Sequence, residues 1–338
     1  MKRYGNLFEK AFCADNLYRA YLDARRGKRG KRACFEFEKN LGGNLAAMLQ
    51  ELHDGTYSPG PYFEFTVYEP KERLIHAPTF RDTVIQHAIY RVIYQIFDRS
   101  FIGQSFACRK GYGTHRAARY SRRAMQRHDG EGYILKLDIR KFFYSIDRAI
   151  LRRLITRKIK DERLVDVMMM FADIKTPVGI PIGNLLSQIY ALIYLNPLDH
   201  FIKRVLKIRH YVRYVDDFML IGLHRPVCLA LRDTIVGFLR RALSLELSKS
   251  TIQKVRKGVN FCGYRMWRTR SFIRKFSLYK FRKAVRKGRQ ESAISLLGHA
   301  KGTNSLISML RKIKEEIGNG QNLQIPKSYR RAYDALPG

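Results

Sequence analysis

The sequence is short of acid. Its 338 residues carry 29 Asp and Glu against 65 Lys and Arg, a formal net charge of +36. Folding does not require such an excess, because like charges repel across a compact surface. The imbalance points to a polyanionic partner, since basic groups that neutralise phosphates also release condensed counterions and so drive binding. A merely solvated basic surface is the plainer alternative. Long apolar runs are absent as well. No stretch reaches the roughly 18 residues that a spanning helix needs, and a membrane surface is the weaker candidate for the polyanionic partner. The N-terminus, MKRYGNLFEKAF, has neither the apolar core nor the small-residue cleavage site of a signal peptide, so a cytoplasmic protein is expected. The cysteines, at 13, 34, 108, 228 and 262, form no CxxC pair and are odd in number. That excludes a disulfide framework and a zinc cage, and predicts reduced thiols used mostly in packing. No internal repeat or low-complexity linker divides the chain.

What is present is enough hydrophobic residue, 46%, for a sizeable core or two or three packed subdomains. The segment 6–52 reads as helices interrupted by the basic turn ARRGKRGKR at 24–32. After the Pro59-Gly60-Pro61 break, YFEFTVY at 62–68 alternates like a strand. Val84, Ile85, Ala88, Ile89, Val92, Ile93 and Ile96 recur at helical spacing within 79–97. Tyr133 to Leu137, Tyr211 to Tyr214 running into Phe218 to Ile221, and Val259 to Gly263 read as strands. Asp147 is placed to cap a helix over 148–157. A helix over 184–206 should break or kink at Pro197. From Ser277 the chain is helical and basic, with breaks near Gly288, Gly302 and Gly318. Strands mixed with segregated helices favour an α+β architecture.

Two acidic spots stand out. Asp138 ends an apolar strand in LKLDIRKFF, where a carboxylate is costly unless hydrated, paired or bound to a cation. Asp216 and Asp217 lie between apolar segments in RYVDDFMLIG, the pattern of a hairpin with an acidic turn. Adjacent carboxylates repel, so a divalent cation is a natural partner. Phosphoryl transfer to a growing strand needs two such ions about 3.5–4 Å apart, and Mg²⁺ prefers a few carboxylates completed by phosphates and waters. A DD pair alone is better explained by turn chemistry; only the segments around it reverse that reading.

Those segments, in order and spacing, resemble the palm of reverse transcriptases. VYEPKERLIHAP at 67–78 is similar to the first fingers motif, LKLDIRKFFYSID at 135–147 to the first catalytic motif, and RYVDD at 213–217 to the YxDD box. GIPIGNLLSQ at 179–188 stands where the family has a PQGxxxSP segment, LELSKST resembles the next motif, and NFCGYRMW at 260–267 resembles the primer-grip hairpin. The resemblance implies an RNA-directed DNA polymerase using two Mg²⁺ ions, with Mn²⁺ as a substitute, and dNTP substrates. It assigns the metals to Asp138, Asp216, Asp217 and the Ile139 carbonyl. It assigns the nucleotide to Lys71, Arg73, Arg81, Phe143, Ile182, Gly183, Gln188 and Lys249, with Phe143 as the gate against a ribose 2′-hydroxyl. Primer and template fall to Tyr214, Phe261, Gly263 and Tyr264. Thr83 stands where related patterns often carry a basic residue, which leaves the phosphate clamp short. His87 and His115 are expected to be structural or template contacts.

Ile182 replaces the usual Gln and Gln188 the usual Pro. This IGxxxSQ form is similar to the reverse transcriptases of diversity-generating retroelements, as are FACRKGYGTH at 106–115 and FFYSIDRA at 142–149. That resemblance implies copying of a template-repeat RNA into a cDNA/RNA heteroduplex, misincorporation opposite adenine, and a small basic accessory variability protein oligomer as partner. Physically, isoleucine removes a positioned hydrogen bond worth roughly 1–3 kcal/mol of discrimination; simple packing beside the substrate is the alternative. Retron, group II intron-like and phage-defence reverse transcriptases are neighbouring readings, and a catalytically silent RNA-binding scaffold is one of another class. The expected shape is a right hand with an antiparallel-sheet palm: N-terminal helices and fingers at 1–82, palm at 83–147 and 183–265, more fingers at 148–182, and a helical thumb at 266–338, with no length beyond it for a nuclease domain.

Overall fold

The structure, a computed structural model, describes residues 2–68, 71–128, 130–320 and 322–336. Helices α1 (Leu7–Ala11), α2 (Ala14–Ala24), α3 (Arg32–Lys39) and α4 (Leu41–Asp54) precede strands β1 (Phe63–Val67) and β2 (Arg73–Ala77). Next come α5 (Phe80–Asp98), α6 (Thr114–Gln126), β3 (Tyr133–Ile139), α7 (Arg148–Thr156), α8 (Glu162–Met170) and α9 (Leu185–His200). The hairpin β4 (Tyr211–Tyr214) and β5 (Asp217–Leu223) leads to α10 (Arg225–Leu243) and β6 (Leu247–Lys254). Three short strands, β7 (Val259–Phe261), β8 (Tyr264–Met266) and β9 (Ser271–Ile273), introduce α11 (Lys275–Arg286), α12 (Gln290–Ala300), α13 (Ser305–Gly318) and α14 (Lys327–Asp334). The fold is mixed α and β. Among the described residues no helix is long and apolar enough to cross a membrane.

The chain forms two compact units. One comprises Met1–Cys108, Asp138–Ile208 and Asp233–Lys249. Its spine is α5, where Val84, Ile85, Ala88, Ile89 and Ile93 are fully buried, as the 3.6-residue periodicity requires. Against it packs α2 through Leu17, Ala20, Tyr21 and Ala24, one apolar stripe. The start of α5 is tied by a buried carboxylate. Asp82 accepts from the Tyr57 hydroxyl (2.6 Å), the Gly60 N–H (3.0 Å) and the Thr79 hydroxyl (2.7 Å). Gly60 is obligatory there, because a Cβ would meet Thr79 Cγ2 at 2.8 Å. Asp147 caps α7 as its sequence position predicts, accepting from the Ala149 and Ile150 N–H groups. The expected break at Pro197 does not occur: α9 runs through it and ends three residues later in a π-type turn, Phe201–Val205. Proline removes one hydrogen bond, but burial of nearly every side chain from Leu186 to Asp199 outweighs that loss.

The other unit comprises Arg109–Leu137, Arg209–Arg232 and Ser250–Gly338. It holds most of a four-stranded sheet of order β4-β5-β3-β6, with α6 packed on β4 and β5. An antiparallel sheet β7-β8-β9 follows, and the basic C-terminal helices α11 to α14 pack on one another. Left-handed Gly288 and Gly302 separate α11, α12 and α13 near the expected breaks.

Asp82→Ala is expected to cost roughly 3–5 kcal/mol, because it strands the buried Tyr57 hydroxyl and two part-buried donors at once. Urea unfolding measures this; a loss below about 1 kcal/mol would show that the carboxylate is not what ties this corner.

Candidate active site

The β4–β5 hairpin carries the adjacent acids. Tyr214 pairs with Asp217, leaving Val215 and Asp216 as a two-residue loop. Such loops demand a positive φ at the first central residue, which glycine usually supplies. Here Val215 does so at φ 57°, and a β-branched residue in that region stores about 1–3 kcal/mol of strain. Fully buried Arg213 donates from Nη1 to the Val215 carbonyl at 2.9 Å, holding the strained peptide in place. Tyr214, Asp216 and Asp217 are all half-buried.

Asp217 Oδ2 forms an ion pair with Lys136 Nζ at 2.9 Å. The same ammonium donates to the Asn260 carbonyl of β7 at 2.9 Å, so one cation fastens both the acid and the next hairpin. Sequence reading passed over Lys136. Its signal was the period-2 alternation that sets it on the same face of β3 as Asp138. In the β7–β8 turn Cys262 and Gly263 both adopt positive φ, the primed turn that a two-residue hairpin favours. A Cβ at Gly263 would meet His299 Cε1 at 2.9 Å. Burial, and then the charge of Asp217, push the Cys262 thiol up, which keeps it protonated. Phe261 and Tyr264 were expected to touch primer or template, but their side chains are 0% and 1% exposed. The Tyr264 ring stacks on His299 at 4.5 Å, and its hydroxyl lies 3.1 Å from His115 Nδ1. These rings are core; the exposed residue of β7 is Asn260.

In the other unit, Asp138 is half-buried on β3, and its Oδ2 accepts from the Ser248 hydroxyl of β6 at 2.7 Å. A neutral donor orients the carboxylate without cancelling its charge. Ile139 is buried, so only its main-chain carbonyl could serve a cation. Hard carboxylate and carbonyl oxygens are what Mg²⁺ takes. Among the described residues no three His, Cys, Asp or Glu side chains gather into a metal cage. An ion on these acids would take its remaining ligands from phosphate and water.

Several nucleotide candidates share one neighbour, β2. A 3-10 turn at Phe142–Tyr144 buries Phe142 and leaves Phe143 half-buried against it. The Tyr144 hydroxyl accepts from the Leu74 N–H at 3.3 Å. The Ile182 carbonyl accepts from the His76 N–H at 2.7 Å. Gly183, at φ 122°, leaves no room for a side chain, since a Cβ would lie 2.9 Å from the His76 carbonyl oxygen. Arg73 opens β2 and is exposed, as is Lys71 just before it; Glu69 and Pro70 of the same motif lie outside the described residues. Gln188 is exposed near the start of α9. Arg81 stands apart: its guanidinium is ion-paired with Glu51 and lies over the Tyr57 ring. Lys249 is exposed on β6, and strand alternation turns it away from the face on which Ser248 meets Asp138.

If Val215 is strained, Val215→Gly should hold or raise stability, by up to about 1 kcal/mol. In an unstrained strand the same change costs about that much. Chemical denaturation distinguishes the two, and a clear loss would show the turn to be relaxed.

Residues 68–266, more than half of the chain, match the family described as reverse transcriptase (RNA-dependent DNA polymerase). The group II intron-encoded protein LtrA of Lactococcus lactis subsp. cremoris is 31% identical over 47% of this chain and 28% of its own length. The chain thus spans little more than a quarter of that relative. Protein YkfC of Escherichia coli (strain K12) is 26% identical over 69% of this chain and 74% of its own. The structure of telomerase from Candida albicans in complex with the TWJ fragment of telomeric RNA is similar in fold, with a TM-score of 0.50 at 12% identity, over 82% of this chain and 57% of that one. The chain belongs to the reverse transcriptase (RNA-dependent DNA polymerase) family.

Proposed function

We propose that the chain is an RNA-directed DNA polymerase, built as fingers, palm and thumb, that makes adenine-mutagenic cDNA for a diversity-generating retroelement. One observation carries the polymerase reading: the family match spans Asp138, Asp216 and Asp217, on β3 and at the head of β5, and β3 and β5 are neighbours in one sheet. Two bound divalent ions would activate the primer 3′-hydroxyl and stabilise the pyrophosphate leaving group. Asp138 and Asp216 supply carboxylate oxygens for them, with Asp217 steadied by Lys136. Exposed Lys71 and Arg73 bind triphosphate oxygens, the guanidinium in a bidentate fork. Phe143, with its ring partly open, excludes a ribose 2′-hydroxyl by contact. Ile182 is fixed to β2 through its carbonyl, so its side chain is positioned yet offers the nascent pair no hydrogen bond. That supports loose geometric control of the pair. Template RNA and the heteroduplex engage the basic surface, and a small accessory protein completes the assembly.

A group II intron-type polymerase is the second reading, favoured by the identity to LtrA. Primer extension on an RNA template, supplied with Mg²⁺, tests the class. Asp138→Ala and Asp216→Ala should each lower extension by at least a thousandfold while RNA binding stays within about twofold, since the carboxylates act on charge that develops in the reaction. Extension that survives either change removes the two-ion assignment. Sequencing the cDNA tests the subgroup. Ile182→Gln should lower misincorporation opposite template adenine roughly tenfold, within the reach of one positioned hydrogen bond. Faithful copying of adenine by the unaltered chain favours the intron-type reading.

A further inference from the structure

The turn that carries Ile182 and Gly183 runs into Asn184, the capping position of α9. An asparagine there ordinarily turns its side-chain oxygen back, to accept from the second or third N–H of the helix. Asn184 makes no such bond. The Leu186 N–H donates instead to Gln86 Oε1 of α5, at 3.3 Å. Gln86 is fully buried and does the capping from a neighbouring helix. The Asn184 amide is thereby released for other partners. Its Nδ2 donates to the Tyr62 hydroxyl at 2.8 Å and to the Phe171 carbonyl at 3.2 Å. A carbonyl only accepts, so the second contact fixes which end of the amide is the nitrogen. The residue is buried, and among the described residues its Oδ1 has no hydrogen-bond partner. A side chain that gives up its cap and buries an unpaired oxygen is poorly placed for stability, and such departures from local rules gather at functional sites.

What the amide reaches is the foot of the β1–β2 hairpin, within the same compact unit. Tyr62 immediately precedes β1, and its ring meets His76 of β2 edge-on at 5.7 Å. The hairpin needs outside support. Of the five residues in each strand only His76 is buried, and a two-stranded hairpin with so little burial does not hold its own direction in water. Phe63 pairs with Ala77 at the foot, and Val67 with Arg73 at the far end, where Lys71 also lies. Three consecutive residues of the turn provide the support. The Ile182 carbonyl accepts from the His76 N–H, Gly183 lies against the His76 carbonyl, and Asn184 donates to the Tyr62 hydroxyl. The first two are main-chain contacts and need only glycine at 183. The third depends on the side chains of Asn184 and Tyr62.

We propose that Asn184 is a positioning residue for the incoming nucleotide: through Tyr62 it sets the hairpin bearing Lys71 and Arg73 against the turn bearing Ile182. It touches no substrate. The groups assigned to the triphosphate and to the nascent pair keep a fixed spacing because the two segments that carry them share one buried link. This role rests on the polymerase reading above and adds to it the residue that joins its two nucleotide-binding segments.

Steady-state primer extension by the full chain on an RNA template, with the dNTP concentration varied, tests the proposal. Tyr62→Phe removes one hydroxyl and keeps the ring beside His76. It should raise the dNTP KM about fivefold and hold both kcat and primer–template affinity within about twofold, since a loss confined to KM is a loss of binding. Asn184→Ala should raise KM by at least as much. The double variant should match Asn184→Ala, because both changes break the same bond. Misfolded protein lowers kcat and leaves KM, so the split separates positioning from loss of fold. If Asn184→Ala does not fold, Tyr62→Phe decides. An unchanged KM in Tyr62→Phe, a fall in kcat alone, or effects that multiply in the double variant overturn the proposal and leave the polymerase reading intact. If the unaltered chain extends nothing, the polymerase reading fails and this role fails with it.

Discussion

A buried guanidinium holding a strained peptide is the constraint on which the acidic hairpin depends. Val215 occupies a backbone region that β-branched residues avoid, and the Arg213 Nη1 contact to its carbonyl keeps it there. The cost is repaid in position. A two-residue loop leaves Asp216 at its tip and sets Asp217 as the first residue of β5, where Lys136 grips it. Any looser turn would let two adjacent like charges swing apart. Because the same lysine also holds the β7 carbonyl of Asn260, the acid and the following hairpin share one anchor.

The candidate nucleotide residues rest on a different device, contact with β2. Ile182, Gly183 and Tyr144 each meet that strand through a carbonyl, a missing Cβ or a hydroxyl. Backbone contacts fix the spacing of Phe143 and Ile182 without demanding particular side chains at either position. That leaves position 182 free to be isoleucine. The scaffold tolerates isoleucine there because its own link to β2 is the carbonyl.

Much of the fold was legible because its elements obey short-range rules. The apolar stripe of α5, the Asp147 cap and the glycine-punctuated C-terminal helices follow from spacing alone. The adjacent acids declared themselves by sitting between apolar strands. What stayed hidden depends on distant neighbours. Ser248 is an unremarkable serine until β6 lies beside β3, and Lys136 gives no sign that Asp217 will be its partner. The resemblance assigned Phe261 and Tyr264 to primer or template, yet both side chains are buried, Tyr264 by packing on His299. Pro197 fails to break α9 for the reverse reason: local propensity was overruled by a helix buried on nearly all sides.

Crystals of the chain with primer, template and incoming nucleotide, grown in Mn²⁺ and measured for anomalous scattering, test the central claim most directly. The account expects two peaks about 3.5–4 Å apart, bonded to carboxylate oxygens of Asp138 and Asp216. Peaks that avoid either residue, with the nucleotide bound, would contradict it.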